Sequence, residues 1–263
     1  MIVDPYRVRA RNTALDSNNA IHHDDVAREY GFRGGLVPGV DVYAYMTPAP
    51  VREWGREWLE HGAMTARFHK PVYDGEEVSV GAQSGDSSLT IELRNPAGDI
   101  CATARAEPNH AIAPPDPSTY PRAPVPDPAP PASLESLAGI SELGTFELTL
   151  SDDVVQTFLA DVDEPEGIYV QERLGHPAHL LRTCNWILAT NVKLGPWIHA
   201  QSDCHHFAAA RWGERMETRG RVAKLYERKG HRFVDLDILI TGEGDRPLMH
   251  VRHVAIYEPA RAR

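Results

Sequence analysis

Alternating and continuous hydrophobic runs divide the chain into strands and helices. Alternation at 6–11 predicts a first strand, and the nearly continuous apolar run at 40–46 is typical of a buried helix. The pair Thr47-Pro48 predicts the start of a further helical piece that ends near Gly62. Short strands separated by turn residues are then predicted at 64–72, 77–82, 89–93 and 100–106. The first part of the chain therefore reads as strand, helices and antiparallel meander.

The same order recurs later in the chain. A strand is predicted at 146–150, Ser151 can cap a following helix, and a long amphipathic helix is predicted at 178–194 before further strands. Gly98-Asp99 to Glu107-Pro108 is echoed by Gly244-Asp245 to Glu258-Pro259. The recurrence predicts an internal duplication, with repeats at 1–107 and 134–263.

A proline-rich stretch separates the two predicted repeats. Residues 108–131 contain ten of the chain's 21 prolines and almost no large apolar side chains. Because proline fixes φ and lacks an N–H donor, we predict an extended surface linker over 108–133. A polyproline segment that binds a partner is the alternative interpretation.

Composition and charge narrow the function classes. The net charge of −10 and the lack of a long basic run argue against a nucleic-acid partner. No apolar run approaches the roughly 18 residues that a membrane-spanning helix needs. The three cysteines have neither disulfide-framework nor zinc-site spacing, and no histidine cluster makes a metal the first choice. We expect a cytoplasmic protein with no membrane partner, no metal and no cofactor.

The stretch 16–40, DSNNAIHHDDVAREYGFRGGLVPGV, carries the chain's densest set of chemically useful residues. Asn19-Ala20-Ile21-His22 with Asp24, followed by a Gly35–Gly39 loop before the buried helix, resembles a family signature. The signature is D-x-N-P-x-H-x-D followed by P-x-x-H-G, that of MaoC-type dehydratases and (R)-specific enoyl-CoA hydratases.

The repeated helix-and-meander unit also resembles the hot dog fold of this family. The implied fold class is α+β, a double (tandem) hot dog in which each half has a long helix wrapped by a curved antiparallel sheet. The helices at 40–46 and 178–194 would be the wrapped helices. Because two such units can pair within one chain, either a monomeric double hot dog or a homodimer is expected.

The resemblance implies a set of site residues. His22 falls on the catalytic histidine and Asn19 on the family asparagine, whereas the catalytic aspartate falls on Ser17, with Asp16 one residue away. Ala20 replaces the family proline, and Pro38 stands where the family has histidine. The predicted catalytic residues are His22, Asp16 and Asn19. The predicted substrate-binding residues are Ser17, Val37, Pro38, Gly39 and Asp41.

The implied activity is addition of water to, or removal of water from, an acyl-CoA or acyl-carrier thioester. Such chemistry needs a base for water, an acid for Cα and donors for the oxyanion, and the first turn of the buried helix is suited to the last task. Two alternatives stay open: a hot dog thioesterase that uses Asp41, and a non-catalytic acyl-thioester or lipid-binding protein, because Ser17 replaces the aspartate. His22 with Asp24 and Asp25 is otherwise only a polar helix start, and Asp41 an ordinary first-turn acid. Three later histidines are further candidates for the same cavity: His199, His205 and His206.

Overall fold

A computed structural model describes residues 2–261 of the chain, and ten antiparallel strands within them form a single sheet. The strands are β1 (Ile2–Arg9), β2 (Gly62–Phe68), β3 (Glu77–Ser84), β4 (Leu89–Arg94), β5 (Ile100–Pro108), β6 (Leu143–Thr149), β7 (Ile198–His206), β8 (Arg215–Arg228), β9 (His231–Thr241) and β10 (Pro247–Glu258). Their order is β1-β3-β4-β5-β2-β7-β10-β9-β8-β6. The same order is read from either edge, so the halves are topologically equivalent about the β2–β7 pair, as a duplication would produce.

Two buried helices occupy equivalent positions in the two halves. The helices are α1 (Asp24–Glu29), α2 (Gly39–Met46), α3 (Pro48–Trp54), α4 (Arg56–His61), α5 (Leu134–Ala138), α6 (Asp152–Asp161), α7 (Ile168–Gln171) and α8 (Pro177–Asn191). In each repeat α2 or α8 lies between the first and second strands of the chain order, and these two helices pack against each other. The helices predicted at 40–46 and 178–194 are therefore confirmed as α2 and α8.

Their sequences explain why these two helices are buried. Every residue of α2 from Val40 to Met46 is buried, which agrees with its nearly continuous apolar run. The helix ends at Thr47, and Pro48 occupies the first turn of α3. Gly55 then adopts φ 59° between α3 and α4, in the left-handed region that favours glycine. The predicted helical piece after Thr47 is thus two helices with a sharp bend.

The central strand pair brings the start of β7 close to the first repeat. β2 and β7 run antiparallel, with Ala63 opposite His205 and Arg67 opposite Gln201. This pairing places the segment from Trp197 to His199 beside the N-terminus of α2, where Gly39 and His199 are in contact. The two repeats therefore meet at the beginning of the wrapped helix.

The proline-rich segment lies along the second half. Tyr120 is buried and its hydroxyl donates a hydrogen bond to Asp237 over 3.0 Å. The N–H of Ala132 donates to the carbonyl of Lys193 over 2.9 Å. Within residues 2–261, no helix is long and apolar enough to cross a membrane, and no group of three potential metal ligands is found.

Candidate active site

The loop that carries His22 is fixed by backbone contacts. The side chain of Asn19 caps a short 3-10 turn, Ala20–His22, and α1 follows. Gly35 lies so close to this turn that an added Cβ would be 2.0 Å from the carbonyl oxygen of His22. The Gly35 N–H donates to the carboxylate of Asp24 over 2.8 Å, and this hydrogen bond is the main cause of the lowered pKa of Asp24. A glycine is therefore required at 35, and Asp24 holds the loop rather than facing a cavity.

Asn19 is oriented by the backbone of the other repeat. Its Oδ1 accepts a hydrogen bond from the N–H of Trp197 over 3.1 Å, and its Nδ2 donates to the Trp197 carbonyl over 3.0 Å. A backbone N–H can only donate and a carbonyl can only accept, so this pair of bonds assigns the oxygen and the nitrogen of the amide. The same Nδ2 lies 3.2 Å from Nε2 of His22. Asn19 therefore donates to His22.

A contact with Leu36 determines which nitrogen of His22 carries the proton. Nδ1 lies 2.7 Å from the carbonyl oxygen of Leu36, which can only accept, so Nδ1–H is the donor. Nε2 is then the unprotonated nitrogen and accepts from Asn19. Burial lowers the pKa of His22, while the Leu36 carbonyl and the charge of Asp41 act in the opposite direction. The imidazole is thus held neutral with a basic Nε2.

The N-terminus of α2 has no side-chain cap. Its N-cap residue is Pro38, which makes no capping hydrogen bond, and the carbonyl of Pro38 accepts from the N–H groups of Asp41 and Val42. The N–H groups of Gly39 and Val40 belong to the first turn and have no acceptor among the described residues. An uncapped helix N-terminus of this kind favours a partial negative charge in front of it.

Two cavities meet at these groups. Cavity A has a volume of about 220 Å³ and its wall includes the loop 36–39 and Phe68. Cavity B has a volume of about 750 Å³ and its wall includes Phe146, Trp186 and Arg182. Five residues line both cavities: Asn19, His22, Pro38, Asn185 and Trp197. His22 therefore lies in the wall of both cavities.

The predicted site residues divide between the cavities. Val37, Pro38 and Gly39 line cavity A, and Asp16 and Ser17 line cavity B. Asp16 is exposed, whereas the hydroxyl oxygen of Ser17 is buried and has no hydrogen-bond partner among the described residues. The structure thus brings together the predicted loop residues, with Ser17 rather than Asp16 as the more enclosed of the pair.

Asp41 does not line either cavity, in contrast to the prediction that it binds substrate. Its carboxylate is fully buried, accepts from Arg182 over 2.6 Å and accepts from the Thr13 hydroxyl over 2.6 Å. Burial raises the pKa of Asp41, and Arg182 acts in the opposite direction. Because Arg182 lines cavity B, the effect of Asp41 on that cavity passes through the guanidinium.

The site also contains residues from the second repeat. Trp197 and Asn185 line both cavities, and the Oδ1 atom of Asn185 is buried without a partner among the described residues. His199 lines cavity A, as one of the three histidines predicted there, whereas His205 and His206 line neither cavity. The sequence gave no signal that Asn185 of α8 or Trp197, just before β7, would lie near His22. Their positions depend on the α2–α8 packing and on the β2–β7 pairing.

The arrangement can bind a polar, partly anionic centre between two apolar spaces. His22 lines both cavities with an unprotonated Nε2, and two backbone N–H groups of α2 are free to donate to an oxygen. Groups attached to this centre could extend on either side, into cavity A and cavity B.

Comparison with solved structures identifies the fold. A Mycobacterium tuberculosis protein, described as essential for bacterial survival during infection and as having a double hotdog fold, is similar with TM-score 0.64 and 14% identity over 97% of this chain and 95% of that one. The chain has a double hot dog fold. The predicted fold class is thereby confirmed. A MaoC-like dehydratase is similar to this double hot dog with TM-score 0.62 and 13% identity, over 98% and 97% of the two chains.

Other structural neighbours of the double hot dog differ in activity. One is the dehydratase domain of PpsC from Mycobacterium tuberculosis in complex with C12:1-CoA, with TM-score 0.56 and 12% identity over 95% and 92% of the chains. Thioesterases also share the fold, with TM-scores of 0.50 to 0.56. No family model matches the chain, and no curated protein matches it in sequence. Dehydratases and thioesterases therefore both occur among the proteins that share this fold.

Proposed function

We propose that the protein adds water to the double bond of an α,β-unsaturated acyl thioester, or catalyses the reverse dehydration. One observation carries the proposal: the unprotonated Nε2 of His22 lies where two cavities meet, beside the uncapped N-terminus of α2. MaoC-like dehydratases among the structural neighbours support the same reaction class.

In the hydration direction, water displaces the Asn19 N–H from the single lone pair of Nε2 of His22. Nε2 then removes a proton from this water as the oxygen attacks Cβ. The electron pair of the double bond moves to form the Cα–C1 double bond of an enolate, and the thioester oxygen becomes negative. The N–H groups of Gly39 and Val40 donate to that oxygen. The imidazolium then returns the proton to Cα, which restores the thioester and the neutral His22.

Asn19 and the two cavities have further roles in the proposed reaction. Before water binds, Asn19 donates to Nε2 of His22, and its two bonds to Trp197 keep the Asn19 amide in place. The bond from Nδ1–H to the Leu36 carbonyl holds the His22 ring throughout. One cavity would receive the acyl chain and the other the thiol arm of coenzyme A or of a carrier protein. The C12:1-CoA complex of the PpsC dehydratase domain supports an acyl-CoA substrate.

A thioesterase activity has less support from the site. A carboxylate that attacks the thioester or activates water must reach the reacting carbonyl. The Asp41 carboxylate lines neither cavity, because the hydrogen bonds from Arg182 and Thr13 lie between it and cavity B. Hydrolysis and binding without turnover are therefore treated as alternative outcomes of the same assay.

The test is incubation with crotonyl-CoA and longer enoyl-CoAs, with loss of the conjugated-thioester absorbance and release of free thiol recorded together. We expect hydration without thiol release. Thiol release would instead show a thioesterase, and binding without either change a non-catalytic protein.

The matched variants are His22→Ala and His23→Ala. Loss of the base should lower kcat about 10²- to 10⁴-fold. His23 lines neither cavity and its Nε2 lies 2.8 Å from the carbonyl of Leu15, so its replacement should leave kcat nearly unchanged. Full hydratase activity in His22→Ala would refute the mechanism.

A further inference from the structure

His199, at the start of β7, lies directly against Gly39 of α2. A Cβ added to Gly39 would be 2.8 Å from Nδ1 of His199 and 3.1 Å from its Cβ. Only glycine allows the first turn of α2 to approach this ring so closely. The second repeat therefore contributes an imidazole to the end of the helix that bears the free N–H groups.

The nitrogen that faces Gly39 has no partner. His199 is only 5% exposed and lines cavity A, and no hydrogen-bond partner of its Nδ1 lies within the described residues. Leaving a buried polar nitrogen unpaired costs about 1–3 kcal/mol. An unpaired buried group in a native structure calls for an explanation, and a catalytic role is one of those recognised.

The other nitrogen of His199 belongs to a buried chain of hydrogen bonds. Nε2 lies 2.8 Å from the hydroxyl of Ser202, and the same hydroxyl lies 3.0 Å from Nδ1 of His253. A hydroxyl has one proton, so it donates to one ring and accepts from the other. This chain of hydrogen bonds can run in either direction, and we adopt one of the two. In it, Nδ1–H of His253 donates to Ser202, Ser202 donates to Nε2 of His199, and the proton of His199 is on Nδ1.

Burial keeps both rings uncharged. The pKa of His199 is well below its usual range, and that of His253 is lowered to about 3, in both cases mainly by burial. A neutral imidazole that donates from Nδ1 can bind an oxyanion without transferring its own proton. The geometry at Gly39, the unpaired Nδ1 and the Ser202 link are all consistent with that task.

We propose that Nδ1–H of His199 donates a second kind of hydrogen bond to the thioester oxygen, beside the backbone N–H groups of α2. His199 is then a catalytic residue from the second repeat, and Ser202 and His253 are positioning residues that hold its proton on Nδ1. The substrate class rests on the proposed function. The role requires no covalent step, and the proton stays on His199 throughout.

The closing experiment measures polarisation of the carbonyl directly. A saturated acyl-CoA labelled with ¹³C at the thioester carbonyl is bound to the full-length protein, and its carbonyl stretch is recorded by infrared difference spectroscopy. We expect a shift to lower wavenumber in the wild type. The shift should be largely lost in His199→Leu and largely kept in His199→Asn, whose side-chain amide nitrogen can replace Nδ1.

Kinetics on an enoyl-CoA supply a second readout. His199→Leu should lower kcat about 10²- to 10³-fold, as expected for loss of an oxyanion donor, with a much smaller change in KM. Ser202→Ala, which leaves the ring in place and removes the link, should cause a smaller loss of kcat and of the carbonyl shift. His205→Ala, a neighbour on β7 outside both cavities, is the control.

The outcomes separate the two proposals. A wild-type carbonyl shift that survives in His199→Leu and in Ser202→Ala would overturn the His199 inference while leaving hydration intact. A His199-dependent shift without hydration would support His199 and overturn the proposed reaction. No carbonyl shift in the wild type would overturn the His199 inference, whereas the proposed reaction is judged by the enoyl-CoA assay alone.

Discussion

The N-termini of α2 and α8 hold equivalent positions in the two repeats, yet α8 has a side-chain cap and α2 has none. At α8, Nδ1 of His176 accepts from the N–H of Ala178 over 3.0 Å, which caps the helix. At α2, the N-cap residue Pro38 makes no such bond, and the helix end faces a cavity. One end is satisfied by the chain itself, and the other is left for a ligand.

The space in front of the α8 N-terminus is also occupied by packed side chains. Because Nδ1 of His176 accepts, its Nε2–H must donate, and the buried carboxyl of Glu164 lies 3.0 Å away. The rings of Phe158 and Tyr169 lie 5.1 and 4.6 Å from the ring of His176. A helix N-terminus can thus serve as a binding site when neither a cap nor packed side chains occupy it.

The largest expected effect is on stability at the filled end. His176→Ala removes the cap of α8 and leaves Oε2 of the buried Glu164 without the His176 donor, while Oε1 still accepts from the N–H of Glu166. We expect a loss of about 3–5 kcal/mol in the free energy of unfolding. Urea denaturation measures it. Glu164→Gln, whose amide oxygen can still accept, should lose about 1.5 kcal/mol or less. A loss of kcat in folded His176→Ala would show that the two ends are coupled.

Capping the open end should produce the next largest effect. In Pro38→Asp, the new carboxylate can accept from the first-turn N–H groups of α2 and so compete with the thioester oxygen. We expect kcat to fall about 10²- to 10³-fold. Pro38→Ala, which cannot cap, should keep most of its activity and be less stable than Pro38→Asp by about 0.5–2 kcal/mol. Equal activity in both variants would contradict a role for the open helix end.

Introducing a carboxylate at position 17, near the open end of α2, should raise activity instead of lowering it. Ser17 lines cavity B with an unpaired hydroxyl, and Ser17→Asp would place an acceptor for the attacking water there. We expect kcat for hydration to rise about tenfold, equivalent to about 1.4 kcal/mol of barrier. Ser17→Asn matches Ser17→Asp in size but carries no charge, and should not reproduce the gain. A fall in kcat for Ser17→Asp alone would mean that the native site works without this carboxylate.

The smallest expected effect is a displaced pH profile. Burial lowers the pKa of His22 below its ordinary value of 6.5, so the base form persists to lower pH than in an exposed histidine. The acid limb of kcat/KM should therefore fall below pH 6.5. Because the native state resists protonation here, His22 also makes stability decrease as pH falls below 6.5. An acid limb above pH 6.5 would exclude His22 as the free-enzyme base.

Much of the fold was predictable because its signals are local. The apolar run of α2, the proline that ends it and the Ser151 cap of α6 are each read from a few neighbouring residues. The 19–22 motif and the 37–39 loop were singled out by their resemblance to a family signature, which is also read from neighbouring residues. Their assignment as catalytic and binding residues stays a prediction until the variants are measured.

The remaining site features depend on distant contacts. Asn19 and Trp197 are 178 residues apart in sequence, and their hydrogen bonds follow from the β2–β7 pairing. Asp41 looked like a site acid because it lies in the first turn of α2, but the Arg182 guanidinium from α8 engages it. No local pattern states which side of a buried helix faces a cavity and which faces another helix.

The joining of two repeats in one sheet has a consequence for how such a site can change. In a dimer of identical repeats, every substitution appears at both helix ends, so filling one would fill the other. A tandem chain removes that constraint, because codons for His176 and Pro38 can vary separately. Fusion therefore allows one half to specialise in rigidity and the other in chemistry, and makes the pair inseparable since Trp197 orients Asn19 across the junction.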